Sequence, residues 1–231
     1  MSPDRFVFSA MGTRCELLSC GGDLGAGAAW VGAAASSLTP FDPASELSRF
    51  NAASGWVPVS PLLEGLLREA LRAFEVSGGL VDAGVASLEV RPGHARTRDP
   101  IDPCGIAKGW LADRLAASGL LGSNCIANLG GDLFARGAGP SGGGWPVAFG
   151  QRVVMLRDLG AATSGTTRRG AHLCDPRTGL PAVSDVCEVS VVAASAADAE
   201  IFAKAAFLLG ACAGSRFLDD RGALAQRFLA A

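Results

Sequence analysis

Hydrophobic and polar residues follow two different periods along the chain, which predicts a mixture of helices and strands. Residues 5–18 alternate with the two-residue period of a strand pair or of one bent strand. Helices are predicted at residues 23–38, 60–76, 107–117 and 196–209, with a short helical turn at 45–51, and strands at 125–129, 145–149, 153–156 and 188–193. Residues 84–101 and 135–144 are predicted to be irregular, with a turn at 91–94. Because the segments show neither a regular strand–helix alternation nor a G-x-G-x-x-G motif, the predicted fold class is α+β.

Composition excludes several classes of function. The 231 residues are 49% hydrophobic and 18% charged, and no repeat or linker divides them, so a single globular domain over residues 1–231 is expected. A net charge of −2 gives no indication of nucleic-acid binding. The first 18 residues lack the apolar core of a signal peptide, and the longest apolar stretches contain charges. We therefore expect a cytoplasmic protein without a membrane span.

The seven cysteines do not indicate a metal site. No two of them form a C-x-x-C pair, and the chain contains only two histidines. Without an export signal, the thiols are expected to be reduced and mostly buried.

Three segments in the first half of the chain could contact a ligand. Ala10 to Thr13 is either a strand bulge or a place where the backbone and the Met11 thioether approach a planar ring. Phe41 belongs either to an ordinary capped loop or to a stacking platform for an aromatic ligand. Residues 102–110 open a helix with small residues and Lys108, which is either a plain helix start or a phosphate site at a helix N-terminus.

Further candidates follow along the chain. Glycines at 78–79 and 130–131 each precede an acidic residue at a strand end, where a ligand can approach the backbone. His172 is either a structural histidine or a general base, since its ordinary pKa of about 6.5 suits deprotonation of a hydroxyl. Glu200 and Lys204 are helical neighbours, which form either a surface ion pair or part of a site.

The order of these segments resembles the ApbE family of flavin transferases. The matching motifs are AMGT (10–13), SELSRFN (45–51), GLVD (79–82), DPCGIAKGWLAD (102–113), NLGGD (128–132), TSG (163–165) and HLCDPRTGLP (172–181). Each motif is weak alone, but seven in the family's order make the resemblance specific over roughly residues 6–210.

The resemblance implies a fold, a reaction and a set of site residues. It implies mixed or antiparallel sheets with packed helices, and an extended FAD between them with Mg2+. FAD would be split at its pyrophosphate, FMN would join a serine or threonine hydroxyl of an acceptor protein with an Asp-x-x-Ser/Thr-x-Ala/Thr motif, and AMP would leave. His172 would be the catalytic base, and the Ala107 carbonyl and Glu200 would bind the metal. The implied FAD contacts are Met11, Phe41, Leu80, Val81, Asp82, Cys104, Lys108, Trp110, Thr163 and Ser164.

The last helix departs from the family pattern. Alignment back from Gly210 puts Glu200 at the family's metal-binding aspartate and Lys204 at its threonine ligand, whereas alignment on Asp198 keeps the aspartate but puts Phe202 at the threonine. We prefer the first alignment. A lysine ammonium has no lone pair for a metal, so the hypothesis is that Lys204 replaces the metal and that metal dependence is weakened or lost.

Two other functions remain open on the sequence alone. The chain could be an FAD-binding or FAD-hydrolysing homologue without protein flavinylation, or a member recruited to small-molecule metabolism. Asp82 also lacks the Pro-Thr that usually follows it in the family.

Overall fold

The computed structural model describes residues 2–167 and 173–230. Within them the helices are α1 Leu24–Leu38, α2 Glu46–Ala52, α3 Pro61–Val76, α4 Ala107–Ala117 and α5 Ala196–Asp220. The strands are β1 Asp4–Ala10, β2 Thr13–Ser19, β3 Val57–Pro58, β4 Glu89–Arg91, β5 His94–Arg96, β6 Cys125–Leu129, β7 Asp132–Arg136, β8 Trp145–Phe149, β9 Arg152–Leu156, β10 Leu159–Gly165, β11 Cys174–Asp175, β12 Leu180–Pro181, β13 Val186–Ala193 and β14 Ala225–Ala230.

The main sheet has seven strands in the order β1-β2-β6-β7-β10-β13-β14. Every neighbouring pair in it is antiparallel. Two hairpins, β8–β9 and β11–β12, and a small sheet β3-β5-β4 lie outside it. The predicted α+β class with antiparallel sheets is therefore confirmed.

The hydrophobic residues form two clusters on opposite faces of the main sheet. The larger one joins α1, α3, α4 and α5 to side chains such as Leu17 and Val189. The smaller one contains Ile126 and Leu133 of the sheet together with Trp145 and Phe149 of the β8–β9 hairpin. Because side chains alternate between faces along a strand, the hairpin covers the face that the helices leave open.

Helix starts follow the capping residues read from the sequence. Ser60 Oγ accepts a hydrogen bond from Leu63 N at 3.2 Å at the start of α3, and Ser195 Oγ accepts from Asp198 N at 3.0 Å at the start of α5. These caps satisfy backbone donors that a helix leaves unpaired.

The last helix extends beyond its predicted end but is broken where the prediction stopped. Gly210 has a φ of 77° inside α5. After this break, Asp185 Oδ1 accepts a hydrogen bond from Ala211 N at 2.9 Å and caps the second part of the helix. By length and composition α5 could cross a membrane, but half of its most apolar window is buried inside the fold, where it packs on β10 and β13. Such burial is typical of a core helix.

Some segments differ from the sequence prediction. Residues 84–101 contain the β4–β5 hairpin around the predicted turn rather than irregular chain only. Strands β7, β10 and β14 were not predicted. Strand β10, LGAATSG, consists mainly of small residues and lacks the β-branched pattern of a strand, so its pairing to β7 and β13 decides its structure.

Candidate functional site

A cleft of about 790 Å³ opens beside the N-terminal end of α4. It is lined by residues 80–84, the segment 102–108, the β6–β7 turn, strands β8 and β10, residues 173–176, and the side chains of Glu188, Glu200 and Lys204. The antiparallel sheet and the crossing of α4 with α5 thus bring segments that are far apart in sequence to one place. The volume lies within the range of about 300–1,000 Å³ that is usual for ligand sites.

Most of the residues singled out from the sequence meet in this cleft. Its lining includes Leu80, Val81, Asp82, Cys104, Lys108, Thr163, Ser164, Glu200 and Lys204. His172 lies outside the described residues. Thr167 and Leu173, on either side of the undescribed stretch 168–172, both line the cleft.

Four of the predicted site residues are not part of the described cleft lining. Phe41 is 83% exposed on the loop between α1 and α2. Trp110 is buried in α4, and the Arg114 guanidinium lies over its ring at 4.1 Å from the ring centroid. Met11 is in the β1–β2 turn with a φ of 52°, and Ala107 is the buried first residue of α4. The FAD and metal contacts expected of these four stay predictions.

The floor of the cleft contains two lysines and two carboxylates. Lys108 Nζ donates to Asp132 Oδ2 at 2.6 Å and also to Glu200 Oε1. Lys204 Nζ donates to the carbonyl oxygen of Gly105. The side chains of Asp132 and Glu200 are only 7% and 3% exposed. With both lysines charged and both carboxylates ionised, the group is electrically neutral.

Two glycines allow α5 to approach α4 closely enough to build this floor. A Cβ on Gly109 would overlap the Ala196 carbonyl oxygen, and a Cβ on Gly105 would overlap Lys204 Nζ. The close approach lets Glu200 Oε2 accept a hydrogen bond from Gly109 N at 2.8 Å. The N-cap residue of α4 is Ile106, and its side chain makes no capping hydrogen bond. Glu200 therefore satisfies a first-turn donor of α4 and meets the positive end of its dipole.

Asp113 explains why the motif of residues 102–113 ends in an aspartate. Its Oδ1 and Oδ2 accept hydrogen bonds from Ala196 N at 2.8 Å and Ala197 N at 2.9 Å. It therefore holds the N-terminus of α5 against α4, which sets the position of Glu200 and Lys204 along the cleft floor. Sequence reasoning assigned no role to Asp113, although its place in the motif was visible.

Burial and neighbouring charges shift the ionisation of the floor residues. Burial alone would lower the pKa of Lys108, but Asp132 and Glu200 outweigh it and hold this pKa well above its ordinary value. Burial also raises the pKa of Asp132, with a further contribution from the Glu200 charge. For Lys204, burial lowers the pKa against the attraction of Glu200. Lys108 is thus a firmly charged cation between two carboxylates.

The residues at the expected metal position do not fit a divalent cation. The Glu200 oxygens accept hydrogen bonds from Lys108 and from Gly109 N, and an ammonium group lies where a neutral oxygen ligand is expected. In residues 2–167 and 173–230, no group of three or more histidine, cysteine or acidic side chains could hold a metal. Mg2+ is usually held by one or two carboxylates together with waters and substrate phosphates, and here the carboxylate of Glu200 already accepts hydrogen bonds from Lys108 and Gly109 N.

The two alignments of the last helix lead to different places in the structure. Glu200 and Lys204 line the cleft. Asp198 instead pairs with Arg72 of α3 at 2.7 Å and is not part of the cleft lining, and Phe202 is buried edge-on against Phe217. Only the first alignment puts its two residues in the described cleft lining, and their role there stays a prediction.

Strand β8 contributes a wall that was not assigned to the site from the sequence. Val147, Ala148 and Phe149 line the cleft, with Phe149 as the aromatic residue of the described lining. The strand itself was predicted, but the sequence carries no signal that its hairpin folds back over the sheet.

Glu188 also lines the cleft, where it accepts hydrogen bonds from Arg227 at 3.1 Å and Thr167 at 2.9 Å.

Comparison with known proteins gives one consistent result. A family model described as the ApbE family matches residues 11–100 and 87–228. An FAD:protein FMN transferase of Treponema pallidum is 36% identical over 178 residues, which cover 64% of this chain and 48% of that protein. One of Haemophilus influenzae is 25% identical over 236 residues, 75% of this chain and 68% of that protein. The matched region thus spans about half of the Treponema relative.

Solved structures show the same fold over the whole chain. The flavinyl transferase ApbE of Pseudomonas stutzeri, in its apo form, has a TM-score of 0.87 at 20% identity, covering 100% of this chain and 92% of the other. The flavin transferase ApbE of Vibrio cholerae has a TM-score of 0.83 at 21% identity, covering 99% and 94%.

Proposed function

The chain belongs to the ApbE family, and from that premise we propose that it is an FAD:protein FMN transferase. The proposed reaction moves FMN from FAD to a serine or threonine hydroxyl of an acceptor protein and releases AMP. The observation that carries the proposal is the cleft floor, where Lys108 and Lys204 lie beside the N-terminal turn of α4. Of the two lysines, Lys204 has N–H donors left for a pyrophosphate oxygen, since an ammonium carries three and Gly105 accepts one.

The reaction needs positioning and charge stabilisation more than covalent chemistry. The acceptor oxygen attacks the phosphorus on the FMN side of the pyrophosphate, and a P–O bond forms. The bond from that phosphorus to the bridging oxygen breaks, and AMP leaves with the bond's electron pair. The hydroxyl proton goes to a base, so atoms and charge balance with one phosphodiester, one AMP and one proton as products.

We assign the base to His172. The family resemblance supports this assignment, and so does the position of the flanking residues Thr167 and Leu173 in the cleft lining. A histidine with an ordinary pKa of about 6.5 can accept the proton of a hydroxyl near neutral pH.

The cleft-facing hydroxyls suit binding of FAD rather than an attack on it. Thr163 Oγ1 donates to Ser190 Oγ at 3.0 Å, so its hydroxyl is oriented by the next strand of the sheet.

The carboxylate of Asp82 binds its own loop: Asp82 Oδ1 accepts hydrogen bonds from Gly84 N at 2.8 Å and Val85 N at 3.1 Å. Asp82 therefore holds the 80–84 loop in place, and the loop backbone forms one side of the cleft.

The proposal is tested with a synthetic peptide that carries Asp-x-x-Thr-x-Ala, incubated with FAD, Mg2+ and the purified protein. We expect the peptide to gain the mass of FMN less one water, with AMP released in equal amount, while a peptide with valine in place of the threonine stays unmodified. AMP without peptide modification indicates hydrolysis, in which water replaces the acceptor. Absence of AMP with any hydroxyl peptide contradicts the proposal.

The two histidines of the chain provide a matched pair of variants. His172→Ala is expected to abolish modification of the peptide. His94→Ala is expected to leave it unchanged, because His94 lies on β5 in the small sheet and does not line the cleft. Full activity of His172→Ala would refute its role as the base.

A further inference from the structure

The misfit between the cleft floor and a divalent cation points to a specific replacement. Lys204 extends from α5 toward the Gly105 carbonyl oxygen, which accepts its hydrogen bond. Because residue 105 is a glycine and has no Cβ, the Lys204 amine can lie directly against the backbone there. The Lys204 ammonium thus lies in the cleft lining and is bonded to the backbone just before α4.

The charges on the floor are balanced without a metal ion. Lys108 lies between Asp132 and Glu200, and this triad has a net charge of −1. The Lys204 ammonium brings the group to zero. A dication placed beside Lys204 would be repelled by it, and it would compete with Lys108 and Gly109 N for the oxygens of Glu200.

The Lys204 ammonium also has donors to offer a ligand. An ammonium group carries three N–H donors, and one of them is directed at Gly105. Because Lys204 lines the cleft, a phosphate oxygen in the cleft can accept another. The pyrophosphate of FAD is the anionic group that the proposed reaction brings to this position.

We infer that the Lys204 ammonium takes the place of the divalent cation, so that this chain binds FAD through its pyrophosphate without Mg2+. The inference rests on the proposed function for the identity of the ligand. Binding energy then comes from a charge-assisted hydrogen bond between Lys204 and the pyrophosphate, and the affinity for FAD is independent of magnesium.

The test is the affinity for FAD, measured by flavin fluorescence with EDTA and again with MgCl2. For the unmodified protein we expect the two dissociation constants to agree. For Lys204→Thr, which removes the ammonium and supplies a neutral oxygen, we expect binding to weaken about 10- to 100-fold in EDTA, as for loss of one charge-assisted hydrogen bond, and to be restored in part by Mg2+. Lys204→Met, which offers neither charge nor ligand, should bind weakly in both buffers.

Each result decides the inference. FAD binding by the unmodified protein that is at least about tenfold tighter with Mg2+, a factor worth 1.4 kcal/mol, overturns the inference and leaves the proposed transferase intact. Unchanged affinity of Lys204→Met also overturns it. If the unmodified protein binds no FAD in either buffer, the proposed function fails as well. Circular dichroism of both variants checks that they fold, and the measurement on the unmodified protein stands without them.

Discussion

Replacing Lys108 with methionine tests how strongly the cleft floor depends on its central charge. The substitution keeps a long, flexible side chain but removes the positive charge between Asp132 and Glu200. The side chains of Lys108, Asp132 and Glu200 are 16%, 7% and 3% exposed, so water cannot replace the lost partner. Removing one partner of a buried ion pair costs about 3–5 kcal/mol.

The pH dependence separates a charge effect from a packing effect. Burial already raises the pKa of Asp132, and Lys108 opposes that rise; without Lys108 the folded pKa of Asp132 therefore lies further above its value in the unfolded chain. A carboxyl group with a raised folded pKa stabilises the fold at low pH, and that contribution is lost as the pH rises through the folded value. The deficit of Lys108→Met is therefore expected to be largest near pH 8 and to shrink toward pH 5.

The assay is urea unfolding of the unmodified protein and the variant at several pH values, with thermal unfolding as a check. At neutral pH we expect the melting temperature to fall by about 6–20 °C, since each kcal/mol is worth about 2–4 °C in a domain of this size. Arg72→Met is the matched control. Arg72 also bridges two carboxylates, Glu69 and Asp198, but it is 38% exposed, so its loss should cost about 1 kcal/mol or less. A deficit for Lys108→Met that is equally small, or that is the same at pH 5 and pH 8, would refute the reasoning.

Two further predictions concern the position of the ligand and the crossing of α4 and α5. Contrary to the expectation of mostly buried thiols, Cys104, Cys174 and Cys212 are exposed, and the first two line the cleft. FAD is expected to slow maleimide labelling of Cys104 and Cys174 but not of Cys212, as measured by mass spectrometry of peptides. Equal protection of all three cysteines would contradict the placement of FAD in the cleft. Gly109→Ala is expected to destabilise the protein despite the better helix propensity of alanine, because its Cβ would overlap the Ala196 carbonyl. Gly32→Ala, on the open face of α1, should stabilise the protein by up to about 1 kcal/mol. If unfolding curves show that both variants are more stable, or both less stable, than the unmodified protein, the close contact at Gly109 does not limit stability.

The helices could be predicted from the sequence because their determinants are local. Ser60 and Ser195 mark their starts through bonds to residues three positions ahead, and Gly210 marks the break in α5. Strands β10 and β14 could not be predicted in the same way. Their backbone partners lie on distant strands, and the small residues of β10 give no alternating pattern.

The candidate site was predicted in outline by the motifs, but its internal contacts were not. The glycine-rich turns and the helix start indicated where the backbone approaches a ligand. Nothing in the sequence showed that Lys108 contacts both Asp132 and Glu200, since those contacts depend on how α4 and α5 cross. Likewise, the positions of Phe41 on the surface and of Trp110 under Arg114 depend on tertiary packing, which the motif match does not encode.

A crystal of the protein grown with FAD and Mn2+ as a detectable substitute for Mg2+ would test the role of the cleft most directly. We predict FAD in the cleft, with a pyrophosphate oxygen within about 3.2 Å of Lys204 Nζ and no anomalous peak from manganese beside Glu200. A manganese peak between the pyrophosphate and Glu200, or FAD bound outside the cleft, would contradict this assignment.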